Sequence, residues 1–222
     1  SAQDAAGNSS AQSASLTATT PAPPPPPPPP TGGTALGNLA ASMQPGTWTT
    51  LNTSGMSLSF LQSGSGGSPL IGYADTMVWD PTTRRAMFLG APHNFPWKFI
   101  VYDDATNNWS SGSLPLSCMA LDFTSPGVCI GHGYDHNAIN PTNGDVYHRP
   151  YASRGIYRYR AGSWSQVTTI PTSVVPGDRI TGGLQYFQEM GGLIFGQDTG
   201  IYFYNVTSGA WSTLLAPLPV TI

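Results

Sequence analysis

The chain has 222 residues, enough for one large domain or two small ones, and only 9% of them are charged, against roughly 25% in an average soluble domain. A net charge of −3, with no local stripe of Lys and Arg, excludes an electrostatic footprint for nucleic acid. The 26 glycines and 22 prolines argue against a helical protein, and no apolar run approaches the roughly 18 residues a membrane-spanning helix needs.

Residues 1–45 hold no aromatic side chain and one charge, Asp4. A segment this rich in Ser, Ala, Thr, Gly and Pro cannot bury enough apolar area to offset ordering, and is expected to be a disordered tail. Within it, Pro23 to Pro30 is an unbroken run of eight prolines. Such a run favours a polyproline II rod of roughly 25 Å, read as a spacer or as a motif for a proline-binding partner. The chain begins at Ser1 without a methionine, as after removal of an export signal or at an arbitrary boundary.

The texture changes at Gly46, and residues 46–222 are expected to form one blade array. Residues 46–52, around Trp48, read as a lone outer strand. Three units of similar pattern follow. Met77-Val-Trp79 turns through Asp80-Pro-Thr-Thr83 into a strand ending at Gly90, and Phe99-Ile-Val-Tyr102-Asp103 turns toward Trp109. Ala138-Ile139 turns through Asn140-Pro-Thr-Asn-Gly-Asp145 into Val146-Tyr-His-Arg149, and Ile156-Tyr-Arg-Tyr159-Arg160 precedes Trp164. Leu184-Gln-Tyr-Phe187, Leu193-Ile-Phe-Gly196 and Ile201-Tyr-Phe-Tyr204-Asn205 precede Trp211. The Tyr-to-Trp spacing is seven, five and seven residues. The shorter spacing tightens the turn and keeps the same face, because strand side chains alternate with period two. Each unit thus reads as four antiparallel strands, a to d, and the tryptophan spacings of 55 and 47 point to a propeller-like repeat. Arg84-Arg85 reads as solvated charge at a strand edge.

Tyr102-Asp103 with Trp109, and Tyr204-Asn205 with Trp211, resemble the third and fourth strands of kelch-family β-propeller blades. The resemblance covers about residues 46–219. It departs where a glycine pair usually ends the second strand, which is reduced here to Gly90, to Gly196, and to nothing at His148-Arg149-Pro150. The resemblance implies an all-β, kelch-like β-propeller of about three blades plus the lone strand. That ring is incomplete, so another chain or further blades are expected to meet its open edges.

In such a blade the a–b and c–d turns share one face of the disc, and the b–c loops and blade-to-blade connections share the other. The first face carries only tight turns and is expected to offer little concave surface. The second carries the long loops, 91–97, 113–131, 150–154 and 171–181. Cys118 and Cys129 lie in one of them; in an exported protein they would form a local disulfide, and otherwise two free thiols. His93, His132, His136 and His148 all fall on or beside this face, with Trp97, Tyr134, Arg149, Tyr151 and Arg154.

Here His132, Tyr134, His136 and His148 are candidate catalytic groups, the imidazoles and phenol serving as general base and acid. His93, Trp97, Arg149, Tyr151 and Arg154 are candidate ligand-binding groups, suited to sugar rings and carboxylates. His132, His136 and His148 have the chemistry to ligate a transition metal, but no metal motif is present and no cofactor is indicated. Alternatively, all these groups satisfy backbone between blades. The preferred expectation is a secreted or cell-surface module that binds a glycan or cell-surface polymer. The alternatives are a polysaccharide-active enzyme, admitted by resemblance to propeller lyases and, less closely, oxidases, and an assembly subunit anchored by its tail.

Overall fold

A computed structural model describes residues 33–61, 76–90, 98–114, 136–150, 153–174 and 182–215. Twelve strands in these residues form three separate four-stranded sheets, each an antiparallel meander in chain order. Blade 1 comprises β1 (Met77–Asp80), β2 (Arg85–Gly90), β3 (Lys98–Asp103) and β4 (Asn108–Ser111). Blade 2 comprises β5 (Asn137–Asn140), β6 (Asp145–His148), β7 (Gly155–Arg160) and β8 (Ser163–Thr169). Blade 3 comprises β9 (Gly183–Phe187), β10 (Gly192–Gln197), β11 (Gly200–Asn205) and β12 (Trp211–Leu215). The first strands neighbour one another across sheets, β5 lying beside both β1 and β9. The fold is therefore all-β and propeller-like, with its blades in an incomplete array.

Short Asx turns start most hairpins. The Asp80 carboxylate accepts from the Thr82 amide at 2.8 Å and from the Thr83 hydroxyl, and Asn140 accepts from the Thr142 amide at 3.0 Å. Asn205 likewise takes the amides of Thr207 and Ser208 at 2.9 and 2.8 Å. Gly144 then adopts φ +74°, with Asp80 so close that a Cβ there would stand 2.6 Å from its carboxylate.

Alternation sends one set of side chains from each sheet toward the next blade and the other set back. We call these the trailing and leading faces. Val78, Met87, Leu89, Phe99 and Val101 form the trailing face of blade 1 and pack on Val146, Ile139, Tyr159 and Trp164, the leading face of blade 2. Ala138, Tyr147 and Ile156 then pack on Leu184, Leu193, Phe195, Tyr202 and Tyr204 of blade 3. Fully burying each aliphatic or aromatic side chain contributes about 1.5–3 kcal/mol, so these two layers carry most of the cohesion.

The repeated aromatic pair appears in all three blades. Tyr102 opposes Trp109, Tyr159 opposes Trp164 and Tyr204 opposes Trp211, with ring centroids at 5.1, 5.2 and 5.3 Å. Each indole N–H donates backward along the chain: Trp164 to the Ser113 carbonyl at 2.7 Å, Trp211 to the Thr168 hydroxyl at 2.9 Å, and Trp109 to the Thr53 hydroxyl at 3.1 Å.

Blade 1 has no blade before it among the described residues. Its leading face is met instead by segment 33–61, a cap. Ser54 bridges Asn108 in parallel, its amide donating to Asn107 O at 3.1 Å, and Lys98 Nζ donates to Ser59 O at 2.9 Å. Ile100 and Tyr102, on that leading face, are buried. The strand expected over 46–52 does not form; the chain makes its single bridge just beyond, and Trp48 is 97% exposed.

The chain divides into Ser1–Thr31 and Gly32–Ile222. Residues 33–45, which composition placed in the tail, hold helix α1 (Ala35–Ser42), and helix α2 (Leu58–Leu61) follows. Thr34 caps α1, its hydroxyl accepting from the Gly37 amide at 3.1 Å. Arg84 is not solvated edge charge: it pairs with the buried carboxylate of Asp104 and donates to Thr34 Oγ1 at 3.2 Å. Arg85 pairs with Asp103 at 2.8 Å. Among the described residues no helix is long and apolar enough to cross a membrane.

Candidate functional site

The start of β5 and the end of β6 open toward the long-loop side, and there the structure gathers His136, His148 and Arg149. The pairing that gathers them is backbone: Asn137 opposes His148, and the Arg149 amide donates to His136 O at 3.1 Å. All three side chains are buried, His136 and His148 completely.

Period two sends them into different layers. His148 turns toward blade 1, where its ring meets Trp164 edge-on at 6.5 Å and its Nδ1 lies 2.8 Å from Asn137 Oδ1. The Asn137 amide nitrogen donates to Leu89 O at 2.8 Å and Thr76 O at 3.1 Å, which leaves Oδ1 as the acceptor. His148 therefore carries a proton on Nδ1. Burial first, then the nearby His136 ring and Arg149 guanidinium, hold its pKa well below the ordinary 6.5.

His136 and Arg149 turn toward blade 3. Arg149 Nη2 stands 2.8 Å from His136 Nε2 and Nη1 donates to Ser153 O at 3.1 Å, while the guanidinium lies 5.0 Å from the Phe195 ring centroid. A guanidinium only donates, so His136 Nε2 is the acceptor in this contact. Burial, then the charge of Arg154, lowers Arg149 to about 10, which leaves it charged at neutral pH. Arg154 donates from Nε to Ile170 O at 2.7 Å, tying the loop before β7 to the end of β8.

Chemically, this constellation braces the blades. Arg149 crosses from blade 2 to the Phe195 ring of blade 3, and Asn137 fastens blade 2 to two carbonyls of blade 1. The strand ends were legible as a site of dense chemistry, but Asn137 was not singled out, since an Asn inside a strand has no motif. His93, Trp97, His132, Tyr134 and Tyr151, with Cys118 and Cys129, lie outside the described residues. Among the described residues no three metal-ligating side chains come together.

The tight-turn side is less flat than its short connections suggest. Between blades 1 and 2 lies a cleft of about 190 Å³ whose lining includes Asp80, Arg85, Asp145, Tyr159 and Arg160. Both charges at its blade 2 wall are already matched: Arg160 Nε donates to Asp145 Oδ1 at 2.5 Å and Nη2 to Oδ2. Tyr147 beside them is pushed above its usual range by burial and then by the Asp145 charge.

No family model matches the chain, and no curated protein matches it. Among solved structures it is similar to an auxiliary nutrient binding protein from Bacteroides thetaiotaomicron, with 12% sequence identity and a TM-score of 0.30. The match covers 72% of this chain and 46% of that one, so the chain spans less than half of that protein. A likeness this distant carries no functional argument.

Proposed function

We propose that the chain is a kelch-like propeller module, secreted or held at a cell surface, that binds a glycan or other cell-surface polymer through its long-loop face. The observation that carries this reading is the complete burial of His136 and His148, with Arg149 bonded to His136. Groups locked inside a scaffold do not exchange protons with a polymer, whereas a braced scaffold holds binding loops in place. The Tyr–Trp pair recurring in every blade supports the kelch-like part of the reading.

Affinity electrophoresis against a panel of neutral and acidic polysaccharides tests it, with ultraviolet absorbance at the position of unsaturated uronates followed in parallel. Retardation by at least one polymer without new absorbance is the expected result. Unsaturated product that disappears with His136→Ala would overturn the reading in favour of a lyase. Absence of retardation by every polymer would overturn the choice of ligand class.

A further inference from the structure

Large apolar side chains exposed among the described residues fall at the two ends of the blade array, and blade 2 has none. At the leading end, Met77 and Trp79 of β1 are 54% and 38% exposed, on the part of the blade 1 leading face that the cap leaves open. The cap adds Met56 and Leu58. At the trailing end, Phe187 and Leu215 of blade 3 are 40% and 46% exposed. Phe187 lies two positions from Gln185, and Gln185 pairs through Ile194 with Phe203, so this is the sheet face turned away from blade 2. Leu215 joins it by pairing with Ile201 across the bulge in β11 and β12.

We propose that these two ends are the halves of one head-to-tail interface, and that the occupant of each is a second copy of this chain. The argument is continuity with contacts the molecule already makes. A mainly apolar trailing face meets a leading face that includes Tyr and Trp twice inside the chain, between blades 1 and 2 and between blades 2 and 3. Blade 3 presents a trailing face of the same kind, and blade 1 presents Trp79 on a leading face. A second copy supplies the matching partner at either end with no new type of contact. Because the two surfaces differ, the association is heterologous and closes into a ring or extends as a filament. The inference is independent of any polymer bound at the loops.

Sedimentation velocity of the full chain over a wide concentration range tests it, starting from the 23.4 kDa monomer. The wild type is expected to associate as concentration rises. A trailing variant, Phe187→Asp with Leu215→Asp, and a leading variant, Met77→Asp with Trp79→Asp, should each stay monomeric. Mixed, they should form a one-to-one dimer and nothing larger, since each retains the half that the other lacks. Far-UV circular dichroism checks folding, and Ser at the same positions replaces Asp if a variant unfolds. A wild type that stays monomeric, a variant that still associates, or a mixture that stays monomeric would overturn the proposal.

Discussion

His148 links the fold to pH. Its imidazole is buried between blades 1 and 2, donates to Asn137, and is held neutral well below its ordinary pKa. The unfolded chain takes up a proton on this ring near pH 6.5 while the folded chain resists, so unfolding binds a proton below that pH. The stability contribution is full above about pH 6.5 and is lost as pH falls, by up to about 1.4 kcal/mol per unit. Urea unfolding followed from about pH 8 down to about pH 5.5 should show this slope, and His148→Gln should flatten it. Identical pH profiles for the two proteins would contradict the burial argument.

At the scale of elements, the unit of construction is the Tyr–Trp pair with its backward indole bond. Replacing Trp164 or Trp211 by Phe keeps a ring opposite the tyrosine but deletes the N–H that reaches the previous segment, together with part of the indole's packing. Each replacement should destabilise by about 1 kcal/mol in urea unfolding. Trp48→Phe should leave stability unchanged, because Trp48 is almost fully exposed. A loss at Trp48 equal to that at Trp164 would show that Trp48, Trp109, Trp164 and Trp211 are equivalent. They look equivalent in sequence, where Trp48-Thr-Thr-Leu copies Trp211-Ser-Thr-Leu. What distinguishes them is the absence of an aromatic strand before Trp48, and that absence was legible. The strands were readable because period-two alternation and Asx turns are local. The site was readable only in outline: histidines at strand ends mark a place, but whether they meet solvent depends on blades 1 and 3, which are distant in sequence. Helix α1 was hidden for another reason, since averaging composition over 45 residues submerges a short Ala- and Leu-containing stretch and its Thr34 cap.

For the whole molecule, the consequence of face-on-face packing is a gradient of stability. Blade 2 is sandwiched on both sides, whereas blades 1 and 3 each pack one face on another blade. In arrays stabilised by neighbour contacts, the unit with two neighbours opens last. Amides of β6 and β7 should therefore be the slowest to exchange with deuterium, and those of β12, most of whose side chains are exposed, among the fastest. Slower exchange in β10 than in β6 would mean that blade 3 has a partner on its far face under the conditions used.

Lys98 is the sole lysine of the chain, and its amine is engaged with the Ser59 carbonyl of the cap. Side-chain acylation is thereby confined to one address, and the reagent must compete there with the hydrogen bond that helps seat segment 33–61. Acetylating that nitrogen removes its charge and two of its donors, weakening its bond to the Ser59 carbonyl. The scarcity of lysine, which at first only counted against nucleic acid as a partner, thus makes a single side-chain amine a reporter of how the cap is seated.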